Sequence, residues 1–255
     1  MRKILSIAAI LLLLAACGET SADETGELAI SAASSLTDAL FAAEKEFQKT
    51  HPEVELSFNF GSSGKLRNQI QQGVPVDLFL SASEKDMEIL QQDGLVSEEE
   101  VRHFAENRLV LASAEQLQET DLKTLLANSD LIAVGEPESV PVGFYTKEAL
   151  SRIGIWESLE SQLIFAKDAR QVLSYIESGN AEMGIIYSSD AELSTRLKTV
   201  IDLPKGDTEI VYPAGILTGA ENKEAAKEFM DFLTSKEGQK IVEDYGFSSF
   251  QGDLH

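Results

Sequence analysis

The fold is decided first at residues 28–47, which read LAISAASSLTDALFAAEKEF. The apolar run from Leu28 to Ala33 is typical of a buried β-strand. After two serines, apolar residues recur at spacings of three and four, at Leu36, Leu40, Ala43 and Phe47. This spacing predicts an amphipathic helix that covers a sheet with one face. The stretch is therefore read as a strand, a serine turn and a helix in direct succession.

Short apolar runs alternate with helical patterns through the rest of the chain. Strands that alternate with helices pair side by side in the same direction, so the pattern predicts an α/β fold with largely parallel sheets. The candidate strands are Leu28 to Ala33, Val54 to Phe60, Val76 to Ser81, Arg108 to Ala112, Leu131 to Val134, Met183 to Tyr187 and Thr208 to Leu217.

Two further segments are predicted to be helical. Residues Lys223 to Lys240 carry apolar side chains at helical spacing between many charges, which predicts one final helix that packs on the body. The acidic run Glu98–Glu100 predicts the exposed start of a helix, because acidic side chains favour that position. A metal site is the less favoured interpretation of this run, since no other ligand types cluster beside it.

The N-terminal residues have the pattern of an export signal. Residues 1–16 place two basic residues before an apolar run that is too short to span a bilayer stably. Residues 14–17, LAAC, resemble the lipobox of bacterial lipoproteins, which predicts a signal peptide at 1–16 and lipidation of Cys17. Polar residues at 17–26 predict a flexible tether. Because Cys17 is the only cysteine, the chain has no internal disulfide.

The overall charge narrows the choice of partners. The 255 residues include 43 Asp and Glu against 21 Lys and Arg, a net charge of −22. Nucleic acid is therefore not expected as a partner. An anionic ligand would have to be held by local, oriented donors in a dry cleft. The three histidines are scattered at 51, 103 and 255, which gives little support to a histidine-based metal site.

Four predicted junctions combine small residues with the start of a helix. Small side chains let a ligand approach the backbone, and the first N–H groups of a helix lack internal partners and carry partial positive charge. Such junctions can hold anions, and in an open parallel sheet they gather at the carboxyl ends of the strands. The four are residues 32–38 (AASSLTD), 60–66 (FGSSGKL), 135–145 (GEPESVPVGFY) and 167–171 (KDARQ).

Ordinary helix capping is the alternative interpretation of these junctions. Residues 35–38, SLTD, match a capping box, and residues 168–171, DARQ, match one more loosely. Composition alone leaves both interpretations open. The binding interpretation gains support because the junctions fall in two separate halves of the chain, which a cleft between lobes would bring together.

Several motifs, taken in order, resemble the periplasmic molybdate-binding proteins of ABC transporters. The resemblance runs from about Leu28 to Phe247. In the first half the motifs are residues 32–36 (AASSL), 60–64 (FGSSG) and 74–82 (VPVDLFLSA). In the second half they are residues 133–143 (AVGEPESVPVG), 184–191 (GIIYSSDA), 211–213 (VYP) and 245–247 (YGF).

The resemblance implies a particular form of the α/β class. This is the two-lobed type II periplasmic-binding-protein fold, in which each lobe is a mostly parallel sheet flanked by helices and the ligand lies in the cleft between the lobes. The chain would cross between lobes near Asn107 and Tyr212. Lobe I would comprise residues 27–107 plus 213–255, and lobe II residues 108–212.

The resemblance also implies a ligand site made of uncharged donors. Carried over by position, these are the hydroxyls and amides of Ser35 and Ser63, the amides of Val142 and Ala169, and the hydroxyl of Tyr187. Molybdenum would enter only as the centre of the oxyanion, and no cofactor is expected. Gly64 stands where the family more usually has serine or threonine, a departure expected to loosen that junction slightly.

The implied function is capture and delivery of an oxyanion. A pocket of donors suits molybdate, tungstate or sulfate, which carry no proton at neutral pH, and leaves the proton of hydrogen phosphate unsatisfied. The resemblance implies a monomeric, extracytoplasmic lipoprotein that binds molybdate, and tungstate with it, and passes it to an ABC transporter permease.

Other functions remain as alternatives. An enzyme is disfavoured, because the chain has no Gly-x-Ser-x-Gly elbow and residues 61–66 lack the spacing of a phosphate-binding loop. A binding protein of the same fold for sulfate or a small organic acid is the closer alternative. Arg67 or Arg170 could meet an organic carboxylate, although both are expected to face solvent. The third alternative is a structural lipoprotein without a ligand.

Overall fold

The computed structural model describes residues 26–118 and 121–250. The predicted signal peptide, the predicted lipidation site at Cys17 and the predicted tether up to residue 25 lie outside these residues. No described helix combines the length and the apolar character that a bilayer crossing requires.

The described strands form two sheets of five strands each. The first sheet has the order β2-β1-β3-β10-β4, where β1 is Glu27–Ala33, β2 Glu55–Gly61, β3 Leu78–Leu80, β4 Val96–Asn107 and β10 Ile210–Leu217. The second has the order β7-β6-β8-β5-β9, where β5 is Leu109–Ser113, β6 Ile132–Gly135, β7 Leu163–Ala166, β8 Met183–Tyr187 and β9 Thr199–Asp202.

Strand direction follows the same rule in both sheets. In the first sheet β2, β1 and β3 pair in parallel, and only β10 runs opposite to its neighbours β3 and β4. In the second sheet β7, β6 and β8 are parallel, and only β5 runs opposite to β8 and β9. The predicted α/β class with mostly parallel sheets is confirmed.

Helices flank the sheets because every connection between successive strands of the same sheet carries a helix. The helix after β1 shows the predicted stripe, with Leu40, Ala43 and Phe47 buried. The helices are α1 (Thr37–Phe47), α2 (Ser63–Gln71), α3 (Glu84–Gln92), α4 (Leu122–Ala127), α5 (Pro141–Arg152), α6 (Trp156–Leu159), α7 (Ala169–Glu177), α8 (Ser188–Leu193), α9 (Lys223–Thr234) and α10 (Lys236–Asp244), with short 3-10 turns at Ser34–Leu36 and Glu160–Gln162.

The chain passes between the sheets at two places. It leaves the first sheet where β4 ends at Asn107 and β5 begins at Leu109, and it returns between the end of β9 at Asp202 and the start of β10 at Ile210. The division into lobes at 107/108 and 212/213 stays a prediction. Residues 210–212, which that prediction assigns to lobe II, pair with β4 in the first sheet.

The acidic run Glu98–Glu100 does not begin a helix, and that prediction was wrong. It lies within β4, the edge strand of the first sheet, whose neighbouring strand is β10. An edge strand can carry many charges because one side of it remains in solvent, and charges there also discourage pairing with other chains. Glu100 also forms an ion pair with Lys223, in which Nζ of Lys223 lies 2.7 Å from Oε1 of Glu100.

The prediction of one final helix over Lys223 to Lys240 was also wrong, because the segment contains two helices. The backbone of Ser235 is extended, with φ −69° and ψ 166°, which separates α9 from α10. The Ser235 side chain then accepts a hydrogen bond from the N–H of Gly238 and so caps α10. Strands β7 and β9 were not predicted, since runs of four residues show no clear period.

Candidate functional site

All five residues that the sequence analysis assigned to the site line one small cavity. Twelve described residues surround it, and every one of them is uncharged. The space free of protein atoms is about 190 Å³, counting the open mouth. The residues are Ala33, Ser34, Ser35, Gly61, Ser62, Ser63, Ala82, Val140, Pro141, Val142, Ala169 and Tyr187. Their convergence is observed, whereas their role in binding stays a prediction.

The cavity lies between the two sheets, at the carboxyl ends of their strands. From the first sheet, Ser35 follows β1 and Ser63 begins α2 directly after β2. From the second sheet, Val142 is in the first turn of α5, Ala169 is the first residue of α7 and Tyr187 ends β8. Parallel strands bring their carboxyl ends to one edge, so residues far apart in sequence meet there.

Helix starts supply unpaired backbone donors to this cavity. The first N–H groups of a helix have no acceptor within the helix. At α2 and α5 the N-cap residues Ser62 and Val140 make no side-chain capping bond. Proline at the first position of α5 also means that Val142 carries the first N–H of that helix. The N–H of Gly143 already donates to the carbonyl oxygen of Val140 at 2.9 Å. The N–H of Val142 and the first N–H groups of α2 are left for a ligand or water.

Capping explains one predicted junction and fails at the other. Asp168 accepts a hydrogen bond from the N–H of Gln171 at 2.9 Å, so the capping interpretation of residues 168–171 is confirmed. Residues 35–38 do not form a capping box, because α1 begins at Thr37 and its N-cap Leu36 makes no side-chain bond. The Ser35 hydroxyl instead lies 3.0 Å from the hydroxyl of Tyr212.

Both serine hydroxyls of the site are already held by the protein. Ser63 Oγ accepts a hydrogen bond from the N–H of Ala82 at 2.9 Å. Ser35 Oγ is held by Tyr212, whose hydroxyl also accepts from Asn107 Nδ2 at 3.4 Å. Ser35 and Ser63 are almost fully buried, with 2% and 0% of their surface exposed. Each hydroxyl is therefore fixed in position before any ligand arrives.

Tyr187 presents a buried hydroxyl without a protein partner. Its side chain is 1% exposed, and its Oη has no hydrogen-bond partner among the described residues. Burial raises the pKa of Tyr187 well above its ordinary value. The phenol therefore keeps its proton at neutral pH and can donate it. An unsatisfied buried hydroxyl is costly, which indicates that a ligand or a water molecule completes it.

Close backbone contacts bring the helix starts together. A Cβ atom on Gly64 would lie 2.7 Å from the carbonyl oxygen of Ser139, in the loop that precedes α5. A Cβ atom on Gly143 would lie 2.1 Å from the carbonyl oxygen of Gly135 at the end of β6. The expected loosening of this junction by Gly64 stays a prediction. Its missing side chain lets α2 lie close to the loop before α5.

Arg170 is not exposed, contrary to the prediction that it faces solvent. Its side chain is 30% exposed and extends from α7 to the turn and helix that follow β1, where Nε donates to the carbonyl oxygen of Ser34 at 3.2 Å and Nη2 pairs with Asp38. Nε also lies 3.4 Å from Oδ1 of the fully buried Asp190. Burial raises the pKa of Asp190 to about 7, and Arg170 lowers it in part.

Arg67 is not free in solvent either. Its side chain is 19% exposed, and Nη1 lies 3.3 Å from Oδ1 of Asp86 on α3. Burial raises the pKa of Asp86, and the Arg67 charge opposes that rise. Both candidate arginines are thus engaged by carboxylates of the protein, and neither lines the cavity.

Other hollows are larger but lack converging helix starts. One of about 970 Å³, counting its open mouth, lies beside α3 and β4 and is lined by charged residues that include Glu84, Glu98 and Arg102. Among residues 26–118 and 121–250, no three His, Cys, Asp or Glu side chains are grouped so that they could hold a metal ion.

Two residues behind the site were not predicted: Tyr212 contacts Ser35, and Asn107 contacts Tyr212. Tyr212 belongs to a motif that carried the resemblance, and Asn107 was noted only as a crossing point between lobes. A fully buried tyrosine in a strand is usually read as core, so the only signal was its place in the motif at 211–213.

Comparisons with known proteins agree with the motifs. The family model for bacterial extracellular solute-binding proteins matches residues 28–248. A Bacillus subtilis protein named as a candidate ABC transporter substrate-binding lipoprotein, YvgL, is 38% identical over 93% of this chain and 94% of its own. The molybdate-binding protein ModA of Haemophilus influenzae is 34% identical over 88% of this chain and 91% of its own.

A solved structure extends this similarity to three dimensions. The periplasmic molybdate-binding protein of Azotobacter vinelandii superposes with a TM-score of 0.80 at 25% identity, and covers 88% of this chain and 100% of that protein. The resemblance predicted from the sequence motifs, and the periplasmic-binding-protein fold that it implies, are both confirmed.

Proposed function

Because the chain belongs to the family of bacterial extracellular solute-binding proteins, we propose that its small uncharged cavity binds molybdate, and tungstate with it, for delivery to an ABC transporter. The observation that carries the proposal is the convergence of Ser35, Ser63, Val142, Ala169 and Tyr187 on one cavity without charged side chains. The family consists of binding proteins rather than enzymes. The names of the Haemophilus and Azotobacter relatives support molybdate as the ligand.

The size of the cavity supports a small inorganic ligand. The space free of protein atoms in the cavity is only about 190 Å³, even when its open mouth is counted. Fixed hydroxyls and helix-start amides can surround a four-oxygen anion in such a space, and uncharged donors in a dry site hold an anion effectively.

The engagement of both candidate arginines opposes an organic acid as ligand. A carboxylate is usually met by an arginine with a free face. Arg170 is bound to Asp38 and the carbonyl oxygen of Ser34, and Arg67 is paired with Asp86. Sulfate, which carries no proton, remains the closer competitor. The site has to distinguish it from molybdate by the size of the anion.

Titration calorimetry tests the ligand directly. Purified protein is titrated with molybdate, tungstate, sulfate and phosphate in turn. We expect tight binding of molybdate and tungstate, and much weaker or no binding of sulfate and phosphate. Tight binding of sulfate with weak binding of molybdate would assign the protein to the alternative ligand, and no heat with any oxyanion would reject the proposal.

Delivery to a membrane permease and a lipid anchor complete the proposal. The sequence LAAC at residues 14–17 supports lipidation of Cys17, and the Bacillus relative has lipoprotein in its name. We expect a monomer held by this lipid on the extracytoplasmic side of the membrane. Replacing Cys17 by serine should release the protein from the membrane fraction, which immunoblotting of cell fractions would show; retention in that fraction would reject the anchor.

A further inference from the structure

A chain of hydrogen bonds with a fixed direction leads from the backbone at the crossing strand to Ser35. It begins at the N–H of Arg108, which donates to Oδ1 of Asn107 at 2.9 Å. A backbone N–H can only donate, so it must face the oxygen of the Asn107 amide. The hydroxyl of Ser188 donates to the same oxygen at 3.0 Å. The Asn107 nitrogen is thereby turned in the opposite direction.

The nitrogen of Asn107 determines what Tyr212 can do with its proton. Nδ2 donates to Oγ of Ser189 at 2.9 Å and to Oη of Tyr212 at 3.4 Å. An amide nitrogen cannot accept, so the Tyr212 proton has to go elsewhere. Tyr212 is fully buried, which raises its pKa well above the ordinary value and keeps it protonated. By distance and angle, Oη of the neighbouring Tyr187 makes no hydrogen bond. The remaining hydrogen bond of Tyr212 among the described residues is therefore to Oγ of Ser35, 3.0 Å away.

The direction of this chain leaves the Ser35 proton to the cavity. When Oγ accepts from Tyr212, its own proton has no acceptor among the described residues. The Ser63 hydroxyl proton is likewise left without an acceptor among the described residues, because the backbone N–H of Ala82 donates directly to Ser63 Oγ at 2.9 Å. Both serines line the cavity, so both protons are available to a ligand there.

We infer that Asn107 and Tyr212 are positioning residues that set the direction of the Ser35 hydroxyl, so that the site presents donors and excludes oxyanions that carry a proton. This inference rests on the proposed function of the cavity. Hydrogen phosphate has a proton that needs an acceptor, and accepting it would leave the proton of Ser35 or that of Tyr212 buried without a partner. Molybdate, with four unprotonated oxygens, meets no such penalty.

Two substitutions that preserve side-chain size test the chain of hydrogen bonds. Tyr212→Phe removes the donor to Ser35 and frees that hydroxyl to turn. Asn107→Asp replaces the amide nitrogen by an acceptor, so Tyr212 donates to residue 107, Ser35 donates to Tyr212, and a lone pair faces the cavity. The added carboxylate weakens the binding of every anion. The informative quantity is therefore the ratio of the affinity for molybdate to the affinity for hydrogen phosphate.

Calorimetric titrations of the full-length chain in mild detergent provide this ratio, with molybdate and hydrogen phosphate as the probes. In both variants we expect the preference for molybdate over hydrogen phosphate to fall by about tenfold or more, the size of one buried hydrogen bond. Tyr145→Phe is the matched control, since Tyr145 is a similarly buried tyrosine outside the cavity, with 4% exposed. The Tyr145→Phe variant should prefer molybdate over hydrogen phosphate as strongly as the unaltered protein does.

The outcomes separate this inference from the proposed function. If the unaltered protein binds no molybdate, the proposed function fails. If it binds molybdate and the folded Asn107 and Tyr212 variants keep the same preference, the inference fails alone. A purely structural role would weaken both anions alike and leave their ratio unchanged. Thermal melting checks that the variants fold, and either variant alone suffices for the decision.

Discussion

The Ser63 hydroxyl serves both the fold and the predicted site. It accepts from the N–H of Ala82 and lines the cavity with its proton free. We expect Ser63→Ala to weaken molybdate binding by about tenfold to a hundredfold, the usual loss for a hydrogen bond to a charged group. Calorimetric titration measures the change.

Ser113→Ala is a matched control for this substitution. Ser113 is also fully buried and also accepts from a backbone N–H, that of Glu115 at 3.1 Å, but it lies away from the cavity. We expect it to lower the melting temperature and leave the affinity for molybdate unchanged. Equal losses of affinity in the two variants would contradict a direct role for Ser63.

Asp190 makes stability depend on pH. Burial raises its pKa from 3.8 to about 7 in the folded protein. Because the folded state then holds this proton more tightly than the unfolded state, the contribution of Asp190 to stability falls as pH rises from about 4 to about 7. The loss amounts to roughly 4 kcal/mol once the group is ionised.

Asp190→Asn removes the ionisable carboxyl group, so the loss of stability with rising pH should disappear. Melting temperatures of the two proteins should be similar near pH 4, and the variant should become the more stable one as pH approaches about 7. Parallel curves across this range would show that Asp190 does not take up a proton on folding.

At the scale of elements, the contact between α2 and the loop before α5 depends on Gly64. A methyl group there would lie 2.7 Å from the carbonyl oxygen of Ser139, and backbone cannot move aside easily. We expect Gly64→Ala to weaken molybdate binding by about fivefold to a hundredfold, in line with the usual cost of overpacking. Calorimetry on the variant tests this.

Gly219→Ala is the control for the Gly64 variant. A methyl group on Gly219 has no heavy atom within 4 Å, and its backbone is not in the left-handed region. We expect unchanged affinity in this variant. If Gly64→Ala also binds molybdate normally, the two sheets do not need this close approach for binding.

Elements were predictable where their pattern was local and long. The strand and helix at 27–47 and the strand Met183–Tyr187 follow the sequence pattern closely. β4 was missed because its charges suit an exposed helix as well as an edge strand, and only pairing with β10 decides between them. The break between α9 and α10 depends on Ser235, whose side chain caps α10. The spacing of apolar residues does not reveal such a cap.

At the scale of the whole molecule, Arg170 connects the two sheets beside the cavity. It reaches from α7 to Asp38 and to the carbonyl oxygen of Ser34. We expect ligand binding to favour a closed form, so the radius of gyration should decrease when molybdate saturates the protein. Small-angle scattering with and without ligand measures this, and an unchanged radius would exclude closure.

Removing the Arg170 bridge should disfavour that closed form modestly. Arg170→Gln is expected to weaken molybdate binding by about twofold to fivefold, because the pair with Asp38 is partly exposed. Arg152→Gln is the control, since Arg152 contacts Lys205, Gly206 and Asp207 away from the cavity. Equal affinities in all three proteins would mean that the bridge does not stabilise the liganded form.

The α/β class could be predicted from the order of the amino acids, because strand and helix periodicity are local properties of the chain. The sequence also pointed to the five cavity residues, through motifs whose order resembles one family. The tertiary structure alone decided how those residues are supported. The contact from Ser35 to Tyr212 joins positions 177 residues apart, and the bridge from Arg170 to Asp38 joins positions 132 apart. No periodicity encodes such pairs, because they form only when two sheets meet at the carboxyl ends of their strands.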